Sequence, residues 1–147
     1  MATAHDKVEK NLGLMLVLTL VVVLIGALVE IDVGMERCGV APGVAAQALA
    51  RRIADTRGLR FRGLQAYHGR AQHLQTYPER AQAVAAAVDA VRETLDALAA
   101  DGLACEIVGG AGTGTFRIEA ASGVYNELQV GSYVFMDTEY ARLDGAP

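Results

Sequence analysis

Residues 104–115 read ACEIVGGAGTGT. The short apolar run at 104–108 fits a buried strand, and it passes directly into a loop holding four glycines and two threonines. The next six residues, FRIEAA, fit a short helix over 116–121. Strand, glycine loop and helix together make one β/α unit. The same unit recurs on either side. Upstream, Pro78 opens a long helix in which Val84, Val88, Val91, Leu95 and Leu98 form one apolar stripe, and Gly102 stands where a helix commonly ends. Residues 59–67 read as the strand before it. Earlier still, Pro42-Gly43 opens a helix that Gly58 closes, and a strand over 27–32 runs into the turn at Gly34. Downstream, 125–130 reads as a fourth strand. The order βαβαβ(α)β predicts the α/β class, with helices packed on a parallel sheet. Each strand ends in unusual residues, which favours a barrel over an open sheet. The expectation is a partial (β/α) barrel of about four units.

Length and composition bound the function. The chain has 147 residues, 52% of them hydrophobic, and a net charge of −4. That suits one domain and excludes a chain that stays disordered. A complete (β/α)₈ barrel needs about 250 residues. Nothing basic enough for a nucleic-acid partner is present. Of the thirteen basic residues only Lys7 and Lys10 are lysine, so lysine chemistry has almost no choice of residue. Cys38 and Cys105 lie 67 positions apart with no zinc-type spacing, and read as two buried reduced thiols.

Residues 12–29, LGLMLVLTLVVVLIGALV, carry no charge and leave three readings open. Eighteen apolar residues are at the lower edge of a membrane helix, with Lys7 and Lys10 on its cytoplasmic side. A signal peptide is the second reading and one or two buried strands the third. The organisation expected is a polar start and apolar lead over 1–26, a barrel domain over 27–140 and a tail over 141–147.

Candidate binding residues gather at the strand ends. In the glycine loop, Gly112, Thr113, Gly114 and Thr115 offer backbone N–H groups and hydroxyls suited to a phosphate. Neither a Walker lysine nor the GxGxxG spacing is present. Tyr67 offers a ring that could stack on a flat cofactor, and Arg37 a cation for an anionic oxygen. Gln129, Gly131, Ser132 and Tyr133 end the fourth strand and could help hold the same phosphate. His68 and His73 make only a weak metal pair, and Arg51 and Arg52 read as a solvated helix face.

Four runs then fall together: VEIDVGMERCGVAPG at 29–43, GLRFRGLQAYHGRAQH at 58–73, EIVGGAGTGT at 106–115 and ASGVYNELQVGSYVFMD at 121–137. In order and spacing they resemble the D-threonine aldolase and D-serine dehydratase-like family, pyridoxal 5′-phosphate (PLP) enzymes of the alanine racemase fold type. The resemblance implies lyase chemistry on D-amino acids bearing a β-hydroxyl, in the cytoplasm, by enzymes that commonly dimerise. It implies that Tyr67 packs on the pyridoxal ring and that Arg37 lies on the side of the phenolic oxygen. It further implies that Gly112, Thr113, Gly114 and Thr115 hold the phosphate, with Gly131, Ser132 and Tyr133 as a second phosphate segment. Gln129 then faces the pyridine nitrogen, where alanine racemases have arginine, and a neutral partner leaves that nitrogen less protonated.

Departures from the family pattern shape the functional expectation. The family's Schiff-base lysine ends a strand upstream of the VEID run, and neither Lys7 nor Lys10 sits in such a strand. The histidine and aspartate or cysteine that bind the family's divalent metal lie in a C-terminal domain past Pro147. No catalytic residue and no metal ligand is therefore assigned within this sequence. The expectation is a fragment of a PLP-dependent lyase, incomplete alone, completed by a second copy or another chain. The alternative is a non-catalytic PLP- or phosphate-binding half-barrel, anchored to a membrane through 12–29.

Overall fold

Strands that alternate with helices must bury one sheet face under those helices, and this requirement organises the chain. The computed structural model describes residues 25–136 and 138–145. Four strands, β1 (Ile25–Glu30), β2 (Leu59–Ala66), β3 (Ile107–Gly110) and β4 (Glu127–Leu128), form one sheet in the order β1-β2-β3-β4. All three pairings are parallel. The helices are α1 (Val44–Ala54), α2 (Tyr77–Ala100) and α3 (Phe116–Ala121), with 3-10 turns at Arg70–His73, Ser132–Val134 and Tyr140–Arg142. The α/β order and the partial parallel barrel are therefore as the sequence implies.

The core lies between the sheet and α1 and α2. Val29 and Ile31 from the first strand region, Leu64 and Ala66 from β2, and Val108 from β3 face Ala46 and Ala50 of α1 and Val84, Val88, Val91 and Leu98 of α2. Burying each such aliphatic side chain contributes about 1.5–3 kcal/mol. The small alanines of α1 let it approach the sheet closely. The predicted stripe of α2 is the face that packs, with Leu95 at its half-buried margin.

Helix ends are chemically specified. Thr76 caps α2, accepting the Glu79 N–H at 3.4 Å while the Thr76 N–H donates to Glu79 Oε2 at 3.1 Å, a complete capping box. At the far end the Gly102 and Leu103 N–H groups donate to the Ala99 and Leu98 carbonyls, a Schellman motif with Gly102 in its expected place. Inside the α1–α2 contact, Thr94 Oγ1 accepts the Gly43 N–H at 2.9 Å, so the helix start is held by a side chain 51 residues away.

Several expectations are corrected. The chain 104–106 is irregular, and β3 starts at Ile107, so Gly109 and Gly110 are strand residues rather than loop. At Gly110 an added Cβ would lie 2.6 Å from both the Ala66 carbonyl oxygen and Tyr125, so this glycine serves close packing. The fourth strand keeps only two of the six expected residues, because β3 itself offers only a short rail for pairing. Of the apolar run 12–29, residues 25–29 belong to β1 and so do not continue a membrane helix, and residues 12–24 lie outside the described residues. Among the described residues no helix is long and apolar enough to cross a membrane. Both cysteines are free, yet Cys38 is exposed, its thiol donating to Glu30 Oε1 at 2.9 Å, and Cys105 is half-buried. Arg51 is not merely solvated, since its guanidinium bridges to Asp101 at 2.9 Å and ties α1 to the end of α2.

One irregularity sets the sheet's geometry. The register between β1 and β2 shifts between Ala27 and Leu28, leaving Arg62 as an extra residue on β2. Gly63 follows at φ +152, and a Cβ there would sit 1.9 Å from the Ile107 carbonyl oxygen. Only glycine lets β2 and β3 pair at this point.

Candidate functional site

In parallel β/α folds, ligands gather where strands end, because the connecting loops converge there. The chain after β1 turns sharply. Asp32 Oδ1 accepts the Gly34 N–H at 2.9 Å and the Glu36 N–H at 3.0 Å, and these bonds, that from Glu36 foremost, hold its carboxyl below the usual range. This turn presents Arg37 to solvent. Arg37 shares one cleft with Met35, Tyr67, Gly69, Arg70 and His73, so the two candidates Arg37 and Tyr67 are brought together.

Tyr67 follows β2 and is half-buried, and that burial pushes its phenol above the ordinary value. Its hydroxyl borders the loop after β3. A Cβ built on Gly112 would lie 3.0 Å from it and 2.5 Å from Gln72 Oε1. Thr113 is buried, and its hydroxyl has no hydrogen-bond partner. Thr115 is also buried, but its hydroxyl is fully engaged, accepting from Gln72 Nε2 at 2.7 Å and donating to Glu119 Oε1 at 2.7 Å. The Gly114 N–H donates to Gln72 Oε1 at 2.9 Å. Thr113 therefore has the hydroxyl left to give a ligand, while Thr115 spends its own inside the fold.

The fourth strand end lies alongside. Gln129 pairs reciprocally with Gln65 of β2, each carboxamide donating to the other at 2.8 Å, on the sheet face away from the helices. Gly131 has open space about it, and Ser132 and Tyr133 form an exposed 3-10 turn. Tyr133 shares a pocket with Val130, Met136 and the first two residues of α3, Phe116 and Arg117. This second segment thus stands beside the helix that the glycine loop feeds.

The histidines do not form a metal pair. His73 contacts Glu139 at 2.9 Å and stacks on Tyr140, whereas His68 packs beneath the Gly34 turn. Burial lowers the His68 pKa, with Arg70 adding to the effect. Among the described residues no group of three or more His, Cys, Asp or Glu is arranged to hold a metal ion. Lys7 and Lys10 lie outside the described residues.

Gln72 and Glu119 are the site residues that sequence reasoning missed. Gln72 stands in the AQH run with no periodic signal, and its partners in the glycine loop are 42 and 43 residues away. Glu119 reads as an ordinary helix carboxylate, yet it is 2% exposed, and burial raises its pKa against the lowering effect of the Thr115 hydroxyl.

Comparison with known proteins bears on the family and the fold. Residues 24–139 match the family described as alanine racemase, N-terminal domain. The chain is 47% identical over 122 residues to a 3-hydroxy-D-aspartate aldolase of Paracoccus denitrificans (strain Pd 1222), covering 83% of this chain and 32% of that protein. It is 47% identical over 116 residues to a D-threonine aldolase of an Arthrobacter species, covering 79% and 31%. The crystal structure of D-threonine aldolase from Filomicrobium marinum superposes with a TM-score of 0.80 at 52% identity, over 82% of this chain and 32% of that one. The chain thus spans about a third of the length of these relatives. Parallel β/α order, strand-end loops and a match over most of the sequence lead to one assignment: the chain belongs to the alanine racemase N-terminal domain family.

Proposed function

We propose that this chain provides the cofactor-holding part of a PLP-dependent lyase that acts on D-amino acids bearing a β-hydroxyl. The observation that carries this reading is the buried Thr113 hydroxyl without a partner, set in a glycine loop beside the Tyr67 hydroxyl. A phosphate is rich in acceptors, and a buried donor lacking one is costly until such a group arrives. The residues present fit PLP. Thr113, and loop N–H groups other than those of Gly114 and Thr115, suit its phosphate, with Gly131, Ser132 and Tyr133 as the neighbouring segment. Tyr67 suits the flat ring, and Arg37, in the same cleft, suits an anionic oxygen on it. Gln129 is a neutral amide, and it suits a ring nitrogen that is not strongly protonated.

When bound, PLP supplies an electron sink for the charge left as a bond to the substrate α-carbon breaks. The chain's own residues bind and orient. Thr113 donates one hydrogen bond, Tyr67 covers one ring face, and Arg37 balances negative charge at the rim. A divalent metal and a Schiff-base lysine belong to the reading of the whole enzyme, and no described residue is assigned to either. Soluble cytoplasmic location and a completing second chain or copy belong to the same proposal.

The alternative of binding without catalysis draws on one observation, the confinement of both lysines to the first ten residues. PLP titration of the full chain, followed by fluorescence, tests the shared part of both readings. Thr113→Val should weaken PLP binding by about tenfold, the value of a hydrogen bond to a charged group. Tyr67→Ala should weaken it by about fivefold through lost ring contact. Unchanged affinity in both variants would remove the site assignment.

A further inference from the structure

Every polar group of the Gln72 carboxamide is engaged, although the residue is 1% exposed. Its oxygen accepts the Gly114 N–H at 2.9 Å, and its nitrogen donates to Thr115 Oγ1 at 2.7 Å and to the His68 carbonyl at 3.3 Å. Thr115 passes the donation on to Glu119 Oε1 at 2.7 Å. Accepting from an N–H while donating to a hydroxyl needs both an acceptor and a donor at one point, which a carboxamide has and an ionised carboxylate lacks.

The loop is shaped around this side chain. A Cβ on Gly112 would meet Gln72 Oε1 at 2.5 Å, and one on Gly114 would meet the Gln72 carbonyl oxygen at 2.8 Å. The two glycines are therefore required by Gln72 as well as by any ligand. Gln72 also sits five positions after Tyr67, in the 3-10 turn that leaves β2. The element carrying the aromatic ring and the glycine loop are thus keyed to one residue.

We propose that Gln72 is a positioning residue that holds the 111–115 loop in its phosphate-ready shape and fixes its distance from Tyr67; this rests on the phosphate reading of that loop given above. A loop already ordered does not lose freedom when phosphate arrives, so more of the contact energy appears as affinity. Gln72 itself touches no phosphate in this account. It leaves the Thr113 hydroxyl to do so and occupies the groups that would otherwise turn elsewhere.

Two measurements on the full chain test the role. Amide hydrogen exchange of the free protein should find the Gly114 N–H protected, and Gln72→Ala should abolish that protection while Val88 and Val91 in α2 keep theirs. Titration with PLP and with pyridoxal, which lacks the phosphate, should find Gln72→Ala weakening PLP by about tenfold and pyridoxal by less than about twofold. Should Gln72→Ala also expose α2, Gln72→Met carries the same test, since it keeps much of the length and volume and loses both the acceptor and the donor. A Gly114 amide that exchanges freely in the unaltered chain overturns the proposal, as does an equal loss for both ligands. If the unaltered chain binds neither ligand, the functional reading fails, and the exchange arm decides alone: protection kept without Gln72 overturns its hold on the loop, and protection lost supports it.

Discussion

The two faces of the sheet are built from the same strands and follow opposite rules. On the helix-covered face, Val29, Leu64, Ala66 and Val108 meet the alanines and valines of α1 and α2. On the other face, Glu30, Gln65, Glu127 and Gln129 are half-buried or exposed, and Gln65 and Gln129 form a reciprocal carboxamide pair. Because side chains alternate along a strand, each residue's register decides which rule it obeys. Stability is concentrated on the covered face. The open face and the rim above it hold groups suited to a ligand, which a folded core does not need. Substitutions should therefore separate into those read by unfolding and those read by binding.

The sharpest way to break this separation is at Gly63, which belongs to neither face. Gly63→Ala drives a Cβ into the Ile107 carbonyl oxygen and should cost about 4 kcal/mol or more, removing the cooperative thermal transition. Next, Leu64→Ala opens a cavity in the covered face and should cost about 3 kcal/mol in denaturant unfolding, with PLP affinity of the folded protein unchanged. Thr94→Val leaves the buried Gly43 N–H without its acceptor and should cost about 1–3 kcal/mol by the same measurement.

Glu119 tests the border between core and rim. Its folded pKa is raised above the ordinary carboxylate value of 4.5, chiefly by burial. Its contribution to stability is then fully present below that ordinary value and is lost as pH rises through the raised one. Glu119→Gln should match the unaltered chain in acid and become the more stable of the two toward neutral pH. A stability difference that does not change with pH would sink this. The smallest effect is expected at the open face, where Gln129→Ala should alter stability by less than about 0.5 kcal/mol. If it instead destabilises as much as Leu64→Ala, the two faces do not differ in the way described.

Much of the covered face was legible in the sequence. The stripe from Val84 to Leu98, Gly102 at the helix end and the Pro/Gly punctuation are local signals, and local signals carry β/α order. Thr76 and Glu79 form a capping box that the pattern also contained, although Pro78 drew the reading instead. The rim was legible as a set of residues and not as a set of roles. Glycines at 109 and 110 look like loop in sequence; they are strand because they pair with β2 and β4, and at Gly110 the neighbours approach too closely for a side chain, which is tertiary information. Gln72 carried no local signal because the loop it holds lies in another element, and Glu119 because its burial is set by the packing around its helix. Cys38 looked buried from composition, but it sits in a turn and finds a carboxylate at the surface.

Arg80 has a consequence of its own. This buried guanidinium donates to the carbonyls of Leu74 at 2.8 Å and Gln75 at 3.0 Å, and also to that of Asp144, while the Asp144 N–H donates to the Gln75 carbonyl at 3.0 Å. Tyr140 and Leu143 are buried nearby. One side chain thus helps clasp a segment 64 positions away, alongside the Asp144–Gln75 bond and the His73–Glu139 contact. Such a segment can detach while the sheet stays intact, as a cooperative unit of low stability. A protease would sense this first: trypsin cleavage after Arg142 should report the opening of the clasp, and Arg80→Ala should speed that cleavage.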